Sequence, residues 1–230
     1  MICIVPLAGP DFVHPSLGIK PLYQVSGVPL IEYALSSRPW WGDNHVDYVF
    51  VLRDLPESAQ VSKFLQNLVP NAAIVTVSRI TDGALFSALA GMAMTKAGER
   101  PICIDLADIV FSSEINPRKI FEERESVGGI LPIFPSDDPK YSYARIEDGL
   151  VTETREKVVI SNHASAGVYL FRNTSIFLSA AAHSLTHAAT IAHNNILFVC
   201  PAMNGVIDVG YTVVPKEVTD CEPISVVFHD

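Results

Sequence analysis

The sequence is short of basic residues, and those it has do not cluster. Its 230 residues include 16 Lys and Arg against 25 Asp and Glu, which gives a net charge of −9. Duplex nucleic acid and anionic membrane surfaces are recognised by clustered positive charge. We therefore expect neither as a partner. A nucleotide stays compatible with this composition, because a few local cations and a divalent metal ion suffice to hold it.

Cysteines and long hydrophobic runs are also sparse. The four cysteines (Cys3, Cys103, Cys200 and Cys221) lie far apart, without a Cys-x-x-Cys or Cys/His spacing, so we expect buried reduced thiols rather than a zinc site or a disulfide framework. No apolar run approaches the ~20 residues that cross a bilayer. No basic segment precedes the first apolar run, as a secretory signal would require. These absences predict a cytoplasmic protein.

Several catalytic motifs are missing as well. The sequence contains no Gly-x-Ser-x-Gly, Walker or Gly-x-Gly-x-x-Gly motif, so the motifs typical of serine hydrolases, kinase-type enzymes and dehydrogenases are absent. What the chain does contain is 49% hydrophobic and 18% charged residues, a composition typical of one globular domain.

Strand and helix patterns alternate along the first half. Strands are predicted at Ile2–Val5, Asp47–Leu52, Ala73–Val77 and Pro101–Asp105, and helices at Pro29–Ser36, Glu57–Leu68 and Gly83–Thr95. This alternation predicts an α/β fold whose central sheet is mostly parallel, with helices on both faces.

The second half has a different pattern. Strands are predicted at Val127–Phe134, Tyr141–Ile146, Leu150–Glu156, Ser165–Phe171, Ile196–Pro201, Val213–Val214 and Ser225–Phe228, and a helix at Ile176–His187. Glu147-Asp148-Gly149 predicts a hairpin turn, since Gly accepts a positive φ. We interpret the chain as one domain with a nucleotide-binding half at 1–112 and a substrate half at 113–230.

The first 35 residues combine a strand, a loop and a helix start. The strand at Ile2–Val5 stops at Pro6, and a loop with Gly9 follows, whose backbone N–H groups can face an anion. Lys20 lies beyond the loop, and Gly27-Val-Pro29 opens a helix. This order of elements suits a nucleoside triphosphate at the carboxyl end of a parallel sheet.

The same stretch resembles the start of the sugar-phosphate nucleotidyltransferases. The matching residues are Pro6-Leu-Ala-Gly9, Phe12, Lys20-Pro-Leu22 and Gly27-x-Pro29-Leu-Ile31. The resemblance implies that the nucleotide contacts Leu7, Ala8, Gly9 and Lys20.

The chain departs from the family at the centre of this loop. Only Pro10-Asp11 stands between Gly9 and Phe12, so the family's second glycine and its arginine are absent. An acid stands where the family has a base, and we expect Asp11 to repel phosphates.

A second nucleotide-binding turn is indicated before the third helix. Thr81-Asp82-Gly83-Ala84 resembles the family's Thr-x-Gly-(Thr/Gln)-Ala turn, which implies that Asp82 and Gly83 meet the base and ribose. The alternative is that Gly83 only caps the helix.

Asp108 is the main metal candidate. Asp105 and Asp108 follow an apolar strand, and the segment resembles the family's strand-(Gly/Ala/Cys)-Asp-apolar-apolar-Phe motif, which implies that Asp108 holds Mg²⁺. Alternatively, Asp108 caps a turn. The family's second metal carboxylate is matched equally by Asp208 and by Asp220.

The substrate half resembles the capsule- and lipopolysaccharide-related branch of this family. Glu156-Lys157 precedes Ala164-x-x-Gly167-x-Tyr169-x-Phe171. The resemblance implies that Lys157 grips the acceptor phosphate, that Glu156 belongs to the same site, and that Gly167 lets the sugar approach the backbone. The alternative is an exposed ion pair at a hairpin end.

The combined expectation is a Mg²⁺-dependent nucleotidyltransferase, with Lys20, Asp108 and Lys157 as catalytic residues. It would join a nucleoside monophosphate from a triphosphate to a sugar phosphate or similar small phosphate and release pyrophosphate, for sugar nucleotide and polysaccharide biosynthesis. The alternatives are a catalytically impaired homologue with a binding or regulatory role, favoured by the lost arginine, and a glycosyltransferase of the same fold. Homodimer formation is left open.

Overall fold

A computed structural model describes residues 1–96 and 98–224 of the chain. Within these ranges the strands are β1 (Ile2–Pro6), β2 (Val13–His14), β3 (Gly18–Ile19), β4 (Gln24–Val25), β5 (Val28–Pro29), β6 (Asp47–Arg53), β7 (Ala73–Val77), β8 (Ile102–Asp105), β9 (Ile109–Ser112), β10 (Val127–Pro135), β11 (Tyr143–Glu147), β12 (Leu150–Arg155), β13 (His163–Ser165), β14 (Val168–Phe171), β15 (Thr212–Glu217) and β16 (Thr219–Pro223). The helices are α1 (Leu30–Ser36), α2 (Ser58–Leu68), α3 (Ala84–Met92), α4 (Pro117–Glu123), α5 (Thr174–Thr186), α6 (Ala188–Ile191) and α7 (Ala202–Asp208).

One ten-stranded sheet runs through both halves in the order β13-β11-β12-β15-β10-β14-β8-β1-β6-β7. The predicted α/β fold class is confirmed, and β8, β1, β6 and β7 pair in parallel as predicted. The second half is mixed rather than parallel, because β14 runs antiparallel to both β8 and β10. The predicted hairpin joins β11 to β12 through Asp148 and Gly149, both at positive φ, and so short a turn permits only antiparallel pairing.

Helices cover both faces of the sheet. Alternate residues of β1 point to opposite faces: Cys3 packs in one hydrophobic cluster with α1 and α2, and Ile4 in another with α3, α5 and α7. Within the described residues, no helix is long and apolar enough to cross a membrane.

Some predicted elements are wrong. Ser165–Phe171 is divided into β13 and β14, because Gly167 adopts a left-handed φ of +74° that breaks the strand. Ile196–Pro201 is an irregular segment that leads into α7, whereas β9, α4 and α7 were not predicted. The predicted strand at Ser225–Phe228 lies outside the described residues.

Candidate active site

A small cavity opens where β1 and β8 end, at the carboxyl edge of the parallel strands. Its volume is about 80 Å³, and Leu7, Gly9, Asp11, Lys20 and Ala107 are among its lining residues. The structure therefore brings the predicted nucleotide loop next to the segment that carries the predicted metal carboxylate. Ala8, by contrast, is buried in the core, and its contact with a nucleotide stays a prediction.

Asp11 and Lys20 form an ion pair across this cavity, with Lys20 Nζ donating to Asp11 Oδ2. The sequence suggested only that Asp11 would repel phosphates. The structure adds that the loop supplies an anion to the lysine expected to hold the triphosphate. Both side chains are partly exposed, so the pair is accessible to a ligand.

A buried ion pair shapes the chain just before Asp108. Arg38 donates to both carboxylate oxygens of Asp105, at 2.7 and 2.9 Å, and both side chains are fully buried. The Ala107 N–H donates to the same carboxylate at 2.9 Å, and Ala107 adopts a left-handed φ of +53°. Asp105 is thus a structural residue whose bonds fix the bend that leads to Asp108.

Asp108 itself has a free ligand atom. Its Oδ1 is buried and accepts no hydrogen bond from the part of the chain that the structure describes. Burial raises the pKa of Asp108 above its ordinary value, and the charge of Lys20 opposes this rise. An unpartnered carboxylate oxygen of this kind suits a hard divalent cation, so Asp108 fits Mg²⁺.

Gly167 lies against Asp108, and its role in the substrate site stays a prediction. A Cβ atom at Gly167 would come within 2.8 Å of Asp108 Oδ1. The contact follows from the sheet, because Val168 pairs with Asp105 and the Leu106 N–H donates to the Gly167 carbonyl at 3.0 Å.

Glu156 and Lys157 differ sharply in environment. Glu156 is buried and accepts a hydrogen bond from Ser142 Oγ. Burial raises the pKa of Glu156 to about 7, and the charge of Asp108 adds to this rise. Lys157 is exposed, has a left-handed φ of +53°, and its Nζ lies 5.3 Å from the ring centre of Phe198. Glu156 and Lys157 therefore do not form the exposed ion pair that was the alternative interpretation of this dipeptide.

The turn at Asp82–Gly83 has a clear structural role. Gly83 is the N-cap of α3, and a Cβ at this position would lie 2.1 Å from the Leu197 carbonyl oxygen. A cavity of about 630 Å³ lies beside the turn, lined by the segment Thr76–Asp82 and by Phe86. The contact of Asp82 and Gly83 with a nucleotide stays a prediction.

The two late aspartates lie in different places. Asp208 ends α7, where the chain leads to the amino end of β15, at the opposite edge of the sheet from Asp108. Its Oδ2 lies 3.3 Å from His183 Nδ1. This placement removes Asp208 as a second ligand beside Asp108.

Asp220 lies on β16, which pairs with β9, the strand that follows Asp108, in a separate two-stranded sheet. Its neighbour Thr219 pairs with Ser112. The contact with Asp108 is made further along the chain, where the Ile224 N–H donates to the Asp108 carbonyl at 3.0 Å. A metal role for Asp220 stays a prediction.

Sequence reasoning missed Arg38 and Phe198. Arg38 is 67 residues from Asp105, and no motif links them. The sequence signal for Phe198 is its aromatic side chain. It was missed because a strand was predicted for this segment, which is irregular in the structure.

Comparisons with known proteins agree with this fold. No protein-family model matches the chain, and no curated protein matches its sequence. Among solved structures, a nucleoside-diphosphate-sugar pyrophosphorylase from Vibrio cholerae RC9 aligns with a TM-score of 0.80 at 20% identity, over 96% of this chain and 93% of that one. UDP-glucose pyrophosphorylase in complex with UDP-glucose aligns with a TM-score of 0.72 at 18% identity, over 98% and 94%.

A third neighbour is the inositol-1-phosphate CTP transferase from T. maritima, with a TM-score of 0.69 at 15% identity, over 96% of this chain and 86% of that one. At these identities the likeness establishes the fold alone. The chain therefore has the fold of the sugar-phosphate nucleotidyltransferases.

Proposed function

We propose that the protein is a nucleotidyltransferase that joins a nucleoside monophosphate, taken from a triphosphate, to a sugar phosphate or a similar small phosphate. The acceptor phosphate oxygen attacks the α-phosphorus, and the bond to the bridging oxygen breaks to release pyrophosphate. A cytoplasmic location and a role in sugar nucleotide synthesis belong to the same proposal.

The observation that carries the proposal is the meeting of both predicted half-sites at Asp108. The charge of Lys20, beside the nucleotide loop, opposes the rise that burial causes in the pKa of Asp108, and Gly167 contacts Asp108 from the substrate half. Parts of both half-sites thus lie next to one buried carboxylate oxygen, which supports transfer between two phosphates at this place.

Each residue then has a defined task. Lys20 would hold the triphosphate, Lys157 the acceptor phosphate, and Asp108 would hold Mg²⁺. When bound, Mg²⁺ would neutralise the charge that develops on the phosphates. Glu156, buried beside Lys157, would face the acceptor. Gly167, which lies against Asp108, would let the sugar approach the backbone. The acceptor phosphate is already ionised, so no side chain has to act as a general base.

A second candidate function is a catalytically impaired homologue that binds a nucleotide and acts in regulation. The Asp11–Lys20 pair favours it specifically, because a triphosphate must displace an internal carboxylate from the lysine.

A pyrophosphate-release screen tests the proposal. Four nucleoside triphosphates are combined with a panel of sugar phosphates and Mg²⁺, and nucleotide binding is measured in parallel by calorimetry. Release that needs both substrates supports the transferase. Triphosphate binding without turnover favours the regulatory function, and the absence of triphosphate binding contradicts both.

A further inference from the structure

The segment between α6 and α7 connects the two halves of the candidate site. At its amino end the Leu197 N–H donates to the Asp82 carbonyl at 2.9 Å, and the Leu85 N–H donates to the Leu197 carbonyl at 3.2 Å. Gly83 lies directly against the same carbonyl, where no side chain would fit. The segment is therefore fastened to the predicted nucleotide turn.

At its carboxyl end the segment is fastened to β12, the strand that leads to Lys157. Thr154 Oγ1 donates to the Cys200 carbonyl at 3.0 Å. The Thr154 N–H donates to Asn204 Oδ1 at 2.7 Å, and Asn204 Nδ2 donates to the Thr154 carbonyl at 3.0 Å. Thr154 is fully buried, so these bonds are protected from water.

Phe198 lies between these two attachments. Its ring centre is 5.3 Å from Lys157 Nζ, and the ring of His193 meets it edge-on at 6.4 Å. A lysine side chain is long and flexible, and an aromatic face within about 6 Å of its ammonium attracts the cation. Phe198 therefore restricts where the Lys157 charge can lie.

We propose that Phe198 is a positioning residue, which holds the Lys157 ammonium at a fixed place relative to the nucleotide turn so that acceptor and nucleotide phosphates meet in register. The inference rests on the proposed function, because it assigns Lys157 to the acceptor phosphate. It adds a specific contact outside the matched motifs and a physical connection between the two half-sites.

Kinetics of Phe198→Leu and Phe198→Tyr test this role with the substrate pair from the screen. Without the ring, we expect the KM for the acceptor to rise roughly two- to fivefold. The kcat and the KM for the triphosphate should change by less than that, and Phe198→Tyr should restore the wild-type acceptor KM. Ile196→Ala, which trims an exposed apolar side chain of the same segment, is the matched control.

A second measurement does not need turnover. The ε-methylene NMR signals of Lys157, assigned with Lys157→Arg, should show a ring-current shift that disappears in Phe198→Leu, and titration with inorganic phosphate should move them at lower concentration in the wild type. If wild type and Phe198→Leu respond equally, Phe198 has no positioning role. If wild-type Lys157 responds to neither inorganic phosphate nor any sugar phosphate, the acceptor role of Lys157 fails, and the positioning role with it.

Discussion

The two lysines proposed to bind phosphates have opposite kinds of neighbour. Lys20, in the nucleotide half, is paired with a carboxylate from its own loop, whereas Lys157, in the substrate half, lies over the uncharged ring of Phe198. A phosphate that approaches Lys20 must displace an anion, but one that approaches Lys157 meets no such competitor in the ring. Under the proposed function, the substrate half would therefore accept a phosphate more readily than the nucleotide half, where an internal carboxylate competes for the lysine.

The two half-sites share one feature of the backbone, a left-handed residue. Ala107, next to Asp108, and Lys157 both adopt a φ of +53°, a conformation that costs a non-glycine residue about 1–2 kcal/mol. Strain of this kind persists only where the surroundings enforce it, and among the positions that show it are Ala107, beside Asp108, and Lys157.

Removal of the Asp108 carboxylate should have the largest effect, because the proposed function assigns the metal ion to it. We expect Asp108→Asn to abolish Mg²⁺-dependent triphosphate binding and to lower any turnover roughly a thousandfold, or about 4 kcal/mol. The melting temperature should stay close to that of the wild type, since the amide keeps the shape of the carboxylate. Calorimetric titration with and without Mg²⁺ measures the change. Normal nucleotide binding by this variant would make Asp108 a turn residue.

The buried acid of the substrate half should appear in the pH dependence of stability. The folded pKa of Glu156 is raised to about 7 from an ordinary 4.5, so the folded state holds this proton more tightly than the unfolded chain. Stability should therefore fall as the pH rises from about 4.5 to 7, by roughly 3 kcal/mol in total. Glu156→Gln should remove this part of the pH dependence.

Denaturant unfolding at pH 5 and pH 8 measures the effect. Glu122→Gln, at an exposed glutamate of α4, serves as the control. The same loss of stability between the two pH values in wild type and Glu156→Gln would show that this carboxyl ionises without cost.

Removal of the Asp11 carboxylate should have a smaller effect, because the Asp11–Lys20 pair is partly exposed. We expect Asp11→Asn to raise triphosphate affinity roughly three- to tenfold, or about 1 kcal/mol, and the gain should shrink in high salt. Glu122→Gln again controls for the change in net charge. An unchanged affinity would mean that the carboxylate moves aside at no cost, and the contrast between the two lysines would then have no consequence for binding.

Sequence patterns predicted the parallel strands well because local apolar periodicity determines them. The position of Lys20 and Asp108 at one edge followed from the same order of elements. Contacts between distant segments were not predictable: the backbone of Leu197 bonds to Asp82 instead of forming a strand. The choice between Asp208 and Asp220 likewise depended on strand order, which no spacing in the sequence encodes.

The strained bend before Asp108 gives the last and smallest prediction. Ala107→Gly relieves the left-handed conformation but adds freedom to the unfolded chain, so the free energy of unfolding should change by less than about 1 kcal/mol. Because the bend aims Asp108, a more flexible residue should weaken Mg²⁺-dependent nucleotide binding a few-fold. Asp148→Gly is the matched control, since Asp148 has a φ of +50° in the hairpin turn between β11 and β12. Equal nucleotide binding by both variants would show that the Asp105–Arg38 pair fixes the position of Asp108 without help from the conformation of Ala107.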